Sequence, residues 1–132
     1  MRFQTPRLLI TDDDRDLRST IAGLFRSRGF ETLEAGDGEE ALEIVVRQEV
    51  HLLLLDMQMP RLSGLETIRR LKQLELSLPL PWILLSGALD EQIVAQAREA
   101  AAFSILAKPF RLPELTGAVN SAMAQTYNWQ AG

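Results

Sequence analysis

Leu52-Leu53-Leu54-Leu55-Asp56, with Met57-Gln58-Met59-Pro60 directly after it, decides the fold of this 132-residue chain. Four leucines without polar alternation read as a strand covered on both faces, the habit of parallel sheets flanked by helices. Its last residue is then a carboxylate delivered at a strand's carboxyl end, where open α/β sheets build their sites. Three more apolar runs end in polar chemistry. Leu8-Leu9-Ile10-Thr11 leads into Asp12-Asp13-Asp14, Trp82-Ile83-Leu84-Leu85 into Ser86-Gly87, and Phe103-Ser104-Ile105-Leu106-Ala107 into Lys108-Pro109. If these strands are parallel and adjacent, acids, a hydroxyl and an ammonium converge on one sheet edge. That set suits an acyl phosphate and a divalent cation.

Between the runs the apolar spacing becomes helical. Leu17, Ile21, Leu24 and Phe25 predict a helix over roughly 15–28, with Gly29 as its stop. The segment 30–35 alternates apolar and polar positions like a strand with one buried face, which fits an edge of the sheet. Gly36-Asp37-Gly38 breaks it. Ala41, Leu42, Val45 and Val46 mark a second helix, and Leu65, Ile68, Leu71 and Leu74 a third. Pro79 and Pro81 force an extended approach to the strand that begins near Trp82. Ile93, Val94 and Ala97 give a fourth helix with a thin apolar stripe. Leu112, Leu115, Val119, Ala122 and Met123 give a stronger fifth, with Pro113 in its first turn. Strict strand-helix alternation predicts an α/β fold: a parallel sheet, right-handed crossovers and helices on both faces.

The bulk numbers narrow the function classes. A chain of this length is expected to form a single domain over 1–132, with its core at about 7–125 and a frayed tail at 126–132. With 46% apolar residues, 24% charged and a net charge of -4, it has no basic stripe for a phosphate backbone, which argues against direct nucleic-acid binding. Zero cysteines exclude disulfides and thiolate metal sites. No apolar stretch approaches the ~20 residues of a membrane span, and residues 1–7 lack the apolar core of a secretory signal, so a cytoplasmic protein without membrane contact is expected.

Taken singly, each polar strand ending has an ordinary explanation. The Asp triplet could be solvated loop acids with Asp14 capping the first helix, Asp56 a turn acid before Pro60, Ser86 a hydroxyl at a helix start, and Lys108 a solvated lysine. Their joint placement is what carries weight. Carboxylates within ~4 Å of one another repel by several kcal/mol at an effective dielectric near 20, so such a cluster calls for a cation. Mg²⁺ fits as a hard ion that takes a few oxygens and keeps several waters. An Asp beside it can then act as an in-line nucleophile on a phosphoryl group.

In Ile10-Thr11-Asp12-Asp13-Asp14, Asp56-Met57-Gln58-Met59-Pro60 with Gly64, Leu85-Ser86-Gly87-Ala88 and Lys108-Pro109-Phe110, the chain resembles response-regulator receiver domains, over about residues 7–125. The resemblance implies a flavodoxin-like (βα)5 doubly wound parallel sheet of strand order 2-1-3-4-5. It implies that Asp56 takes a phosphoryl group from the phosphohistidine of a sensor histidine kinase or phosphotransfer protein. Mg²⁺ would be bound directly by Asp13, Asp56 and the backbone carbonyl of Gln58, and through water by Asp12. Ser86 would be the switch hydroxyl and Lys108 the ammonium that pairs with phosphate, followed by a cis Lys108-Pro109 bond. The output surface would be the fourth helix, fifth strand and fifth helix, read by a downstream effector. Such a module catalyses only its own phosphorylation and dephosphorylation.

The chain departs from that family's habit in places. Ile105 stands three residues before the lysine, where a Tyr or Phe often turns inward, so the switch is expected to depend on Ser86 and the Gly87-Ala88 loop. Gly117, Ala118, Ser121, Ala122 and Ala124 give the fifth helix a small-residue face, expected to pack on the sheet. Neither Gln58 nor Ala88 is an acid able to orient water at an acyl phosphate, so slow loss of the phosphoryl group is expected. Two alternatives remain: a phosphorylation-independent receiver-fold interaction scaffold, and a small Mg²⁺-dependent phosphohydrolase with Asp56 as nucleophile. Gln58, where a hydrolase would want a second acid, weighs against the latter.

Overall fold

In the computed structural model, which describes residues 5–131, strands and helices alternate without exception. They are β1 (Arg7–Thr11), α1 (Arg15–Arg26), β2 (Glu31–Ala35), α2 (Gly38–Arg47), β3 (Leu52–Asp56), α3 (Gly64–Leu71), β4 (Trp82–Ser86), α4 (Glu91–Glu99), β5 (Ser104–Ala107) and α5 (Leu112–Tyr127). All pairings are parallel, in the order β2-β1-β3-β4-β5. This is the expected doubly wound sheet, with β2 at one edge.

The leucine run explains why helices cover both faces. Side chains on a strand alternate sides, so Leu52 and Leu54 join Leu8, Ile10, Ile83 and Leu85 beneath α1 and α5. Leu53 and Leu55 join Leu9 and Leu84 beneath α2, α3 and α4. Each core is closed by the apolar stripes predicted for its helices: Ile21, Phe25, Leu115 and Val119 on one face, Ala41, Val45, Leu65 and Ile68 on the other. The α4 stripe is as thin as expected, with Ala97 its one fully buried residue.

Local chemistry sets the helix starts. Asp14, Asp37, Ser63 and Asp90 cap α1 to α4, each accepting a first-turn backbone N–H, and Glu66 returns a bond to the Ser63 N–H. The predicted first helix is slightly too long: α1 stops at Arg26, and Gly29, at φ 95°, turns the chain so that the Phe30 N–H bonds to the Phe25 carbonyl. Leu74 lies beyond α3. Leu112 opens α5 but is 49% exposed, because that first turn overhangs the sheet.

The frayed tail expected over 126–132 is corrected at its start, and residue 132 lies outside the described residues. α5 continues to Tyr127, which is buried, with its hydroxyl against the backbone carbonyls of His51 and Pro79. Trp129 then packs edge-on to Phe30, ring centroids 4.9 Å apart. Two aromatic rings hold the chain here. The small-residue face of α5 is also only partly on the sheet: Ala122 is buried, while Gly117 and Ser121 face solvent. No described helix is long and apolar enough to cross a membrane.

Candidate functional site

Parallel register places the first two acids together. Thr11 pairs with Leu55 across β1 and β3, so the next residues, Asp12 and Asp56, emerge side by side at the carboxyl edge. Asp12, Asp13 and Asp56 each offer an oxygen within 4.8 Å of the others. Asp12 and Asp56 are buried and Asp13 is exposed, giving the cluster an inner floor and an outer rim.

Lys108 supplies the opposing charge. β5 pairs with β4 at Ser86 and Ala107, so the following lysine reaches back over the sheet edge, and its N–H bonds to the Ser86 carbonyl at 2.8 Å. Its Nζ donates to Asp12 Oδ2 at 2.7 Å and lies 3.3 Å from Asp56 Oδ1. The expected cis Lys108-Pro109 bond is present. Burial pushes the ammonium pKa down, but the Asp12 hydrogen bond and the two carboxylate charges more than offset it, so the pKa is raised and the group stays charged.

The two buried acids are held differently. Asp12 is fixed at every oxygen: Oδ2 by Lys108, Oδ1 by the Asp14 N–H at 2.9 Å, and the carbonyl by Arg18 Nη1 at 2.7 Å. Arg18 is itself held by Glu34 on β2. Asp56, in contrast, has a buried Oδ1 that makes no hydrogen bond and has only the Lys108 ion pair at 3.3 Å. Burial first, then the Asp12 charge, push its carboxyl up to about 6 against the pull of Lys108. A hard cation would neutralise this excess of negative charge, and an oxygen-only donor set with an unbonded buried carboxylate oxygen fits one.

The backbone behind Asp56 is fastened tightly. Met57 N–H bonds to the Leu85 carbonyl at 2.8 Å and Gly64 N–H to the Met57 carbonyl at 3.0 Å. At Gly64 a Cβ would lie 2.6 Å from the Asp56 carbonyl oxygen, so only glycine lets α3 begin this close to the end of β3.

Ser86 ends β4 fully buried. Its hydroxyl donates to Gln58 Oε1 at 3.0 Å and accepts the Ala88 N–H at 3.2 Å, while the Gly87 N–H also donates to Gln58 Oε1 at 3.3 Å. Sequence reasoning singled out the Gln58 backbone carbonyl and missed this side-chain contact. A signal existed: Asp56 pairs with Leu85, so a long amide two residues past Asp56 is within reach of Ser86. Ile105, half-buried, packs into the α2/α3/α4 side of the core.

Known proteins share this sequence pattern and fold. The family described as "Response regulator receiver domain" matches residues 8–120. The chain is 32% identical over 113 residues to sporulation initiation phosphotransferase F of Bacillus subtilis, covering 86% of this chain and 90% of that one. It is 34% identical over 119 residues to the phosphate regulon transcriptional regulatory protein PhoB of Pseudomonas aeruginosa, covering 90% of this chain but 52% of PhoB. The chain thus spans about half the length of that relative. Among solved structures, a response regulator receiver protein from Pseudomonas putida superposes with a TM-score of 0.85 at 28% identity, over 91% of this chain and 99% of that one. The response regulator TrrA of Thermotoga maritima, solved in complex with Mg(2+)-BeF, gives 0.78 at 27% identity, over 89% of this chain and 99% of that one.

Proposed function

The chain belongs to the response-regulator receiver family, and from that premise we propose that Asp56 is its phosphoacceptor, taking a phosphoryl group from the phosphohistidine of a cytoplasmic sensor histidine kinase or phosphotransfer protein. The observation that carries this reading is the placement of Lys108 Nζ between Asp12 and Asp56, where the buried Asp56 Oδ1 has that ion pair at 3.3 Å and no hydrogen bond.

In the transfer, an Asp56 carboxylate oxygen forms the new O–P bond as the N–P bond of the phosphohistidine breaks, and the electron pair returns to the imidazole ring. Asp56 has to be ionised to attack. Lys108, already oriented by Asp12, pairs with a phosphoryl oxygen, and Ser86 donates to another. Asp13, Asp56 and the Gln58 carbonyl would hold Mg²⁺, with Asp12 acting through water, and the ion would neutralise charge on the phosphoryl oxygens. The added charge of about -1.5 to -2 units biases the Ser86 loop. α4, β5 and α5 would carry that change to a downstream effector, α4 being the helix with least buried apolar surface. The whole of about 7–125 is read as one receiver unit, a signalling module whose catalysis is confined to its own phosphoryl group.

Intact mass after incubation with acetyl phosphate and Mg²⁺ tests the reading. A labile gain of one phosphoryl group, ~80 Da, absent without Mg²⁺ and in Asp56→Asn, is the expected result. No gain from acetyl phosphate or from a phosphorylated histidine kinase would overturn it.

A further inference from the structure

The atoms around Gln58 Oε1 are two donors: the Ser86 hydroxyl at 3.0 Å and the Gly87 N–H at 3.3 Å. Their chemistry identifies the side-chain atom between them. A backbone N–H can only donate, and the Ser86 oxygen already accepts the Ala88 N–H at 3.2 Å, leaving its proton to point outward at Gln58. The group they meet is therefore the carboxamide oxygen. A hydroxyl and an adjacent backbone N–H converging on one oxygen are also what a phosphoryl oxygen on Asp56 would use.

We propose that the Gln58 carboxamide is an internal occupant of the phosphoryl-oxygen position, engaging Ser86 and Gly87 in the unphosphorylated chain and leaving before Ser86 can turn to a phosphoryl group. The proposal rests on the phosphoacceptor reading of Asp56. Gln58 is a positioning residue here, because it acts through Ser86. Its main chain can serve the cation site while its exposed side chain swings out, since the amide reaches the hydroxyl from the solvent side. Ser86, fully buried, has no water to take its proton in that state, so the latch satisfies a group that would otherwise be unpaired. The switch is thus an exchange of one acceptor for another at the same donors, with Gln58 as the resting-state competitor.

Fluoroberyllate with Mg²⁺, a phosphoryl mimic that needs no covalent chemistry, is the probe. Gln58→Leu and Gln58→Ala should each bind it more tightly than the unsubstituted chain, by about three- to tenfold, the worth of one hydrogen bond that no longer has to be broken. In a Ser86→Ala background, where only the Gly87 bond to Gln58 is left, the same substitutions should give a smaller gain, which a general loosening of the loop would not predict. Amide exchange at Gly87, measured without ligand, should quicken in both Gln58 variants. Unchanged or weaker fluoroberyllate binding in both variants, an equal gain in the Ser86→Ala background, or unaltered Gly87 exchange would overturn the latch while leaving the phosphoacceptor reading intact. No fluoroberyllate binding by the unsubstituted chain would instead overturn that reading, and the latch with it.

Discussion

Asp56 is ionised at a cost. Its ordinary carboxyl pKa is lifted to about 6 in the folded chain, first by burial and next by Asp12. The folded state therefore holds the proton more tightly than the unfolded one. Stability from this group is full at low pH and is lost as pH rises from 3.8 through about 6. Above that window, and without a cation, Asp56→Asn is expected to stabilise the fold by about 1–3 kcal/mol in urea titrations, since a pKa unit is worth about 1.4 kcal/mol. The same titration bears on chemistry: labelling by acetyl phosphate should slow as acid protonates Asp56, at a pH that Mg²⁺ moves downward because a cation favours the carboxylate. At this scale Asp12, Asp13, Asp56, Ser86 and Lys108 were legible because strand ends can be found in sequence and parallel register does the rest. The Gln58 contact was readable only through the register that pairs Asp56 with Leu85 and so brings the amide within reach of Ser86, and the direction of a loop side chain leaves no periodic trace.

The elements β3 and α3 meet closely where Gly64 passes the end of the strand. A methyl at Gly64 would strike the Asp56 carbonyl oxygen at 2.6 Å, so Gly64→Ala has to push α3 off the strand end. It should cost about 1–3 kcal/mol by chemical denaturation, as overpacking does, and slow phosphoryl uptake through the displaced Asp56. At the other end of the sheet, α5 is secured by its last residue. Tyr127→Phe should lose about 1–2 kcal/mol, because the hydroxyl that serves the His51 and Pro79 carbonyls disappears. If residues beyond 126 were a loose tail, that substitution would be silent. Helix existence was readable from apolar spacing, whereas helix ends were set by Ser27, Gly29 and the ring contacts of Tyr127 and Trp129. The end of α1 is set within its own last turn, whereas Tyr127 and Trp129 depend on His51, Pro79 and Phe30, far along the chain.

Across the whole molecule, two titrations oppose each other. His51, buried below the sheet, accepts the Arg7 N–H on Nδ1 at 2.8 Å, and burial, aided by the Arg7 charge, lowers its pKa despite Glu49. Its contribution is present above the ordinary value of 6.5 and is lost as pH falls below it. Protonation of Asp56 works the other way over the lower part of that window. Asp56→Asn should therefore show a steeper loss of stability than the unsubstituted chain as pH falls from about 7 to about 5, because the compensating carboxyl is gone. The edge position of β2 was legible in the alternation of segment 30–35 and the interior position of β3 in the leucine run, whereas the full strand order was implied only by the family resemblance.

If Asp56 is the phosphoacceptor, its neighbours in the acidic cluster stay unmodified. Borohydride reduction of the phosphorylated chain, followed by peptide mass spectrometry, tests it directly, because reduction converts an aspartyl phosphate to homoserine. Homoserine at position 56 alone, formed only when Mg²⁺ is present, is the predicted result. Homoserine at Asp12 or Asp13, or labelling that persists without the cation, would contradict it.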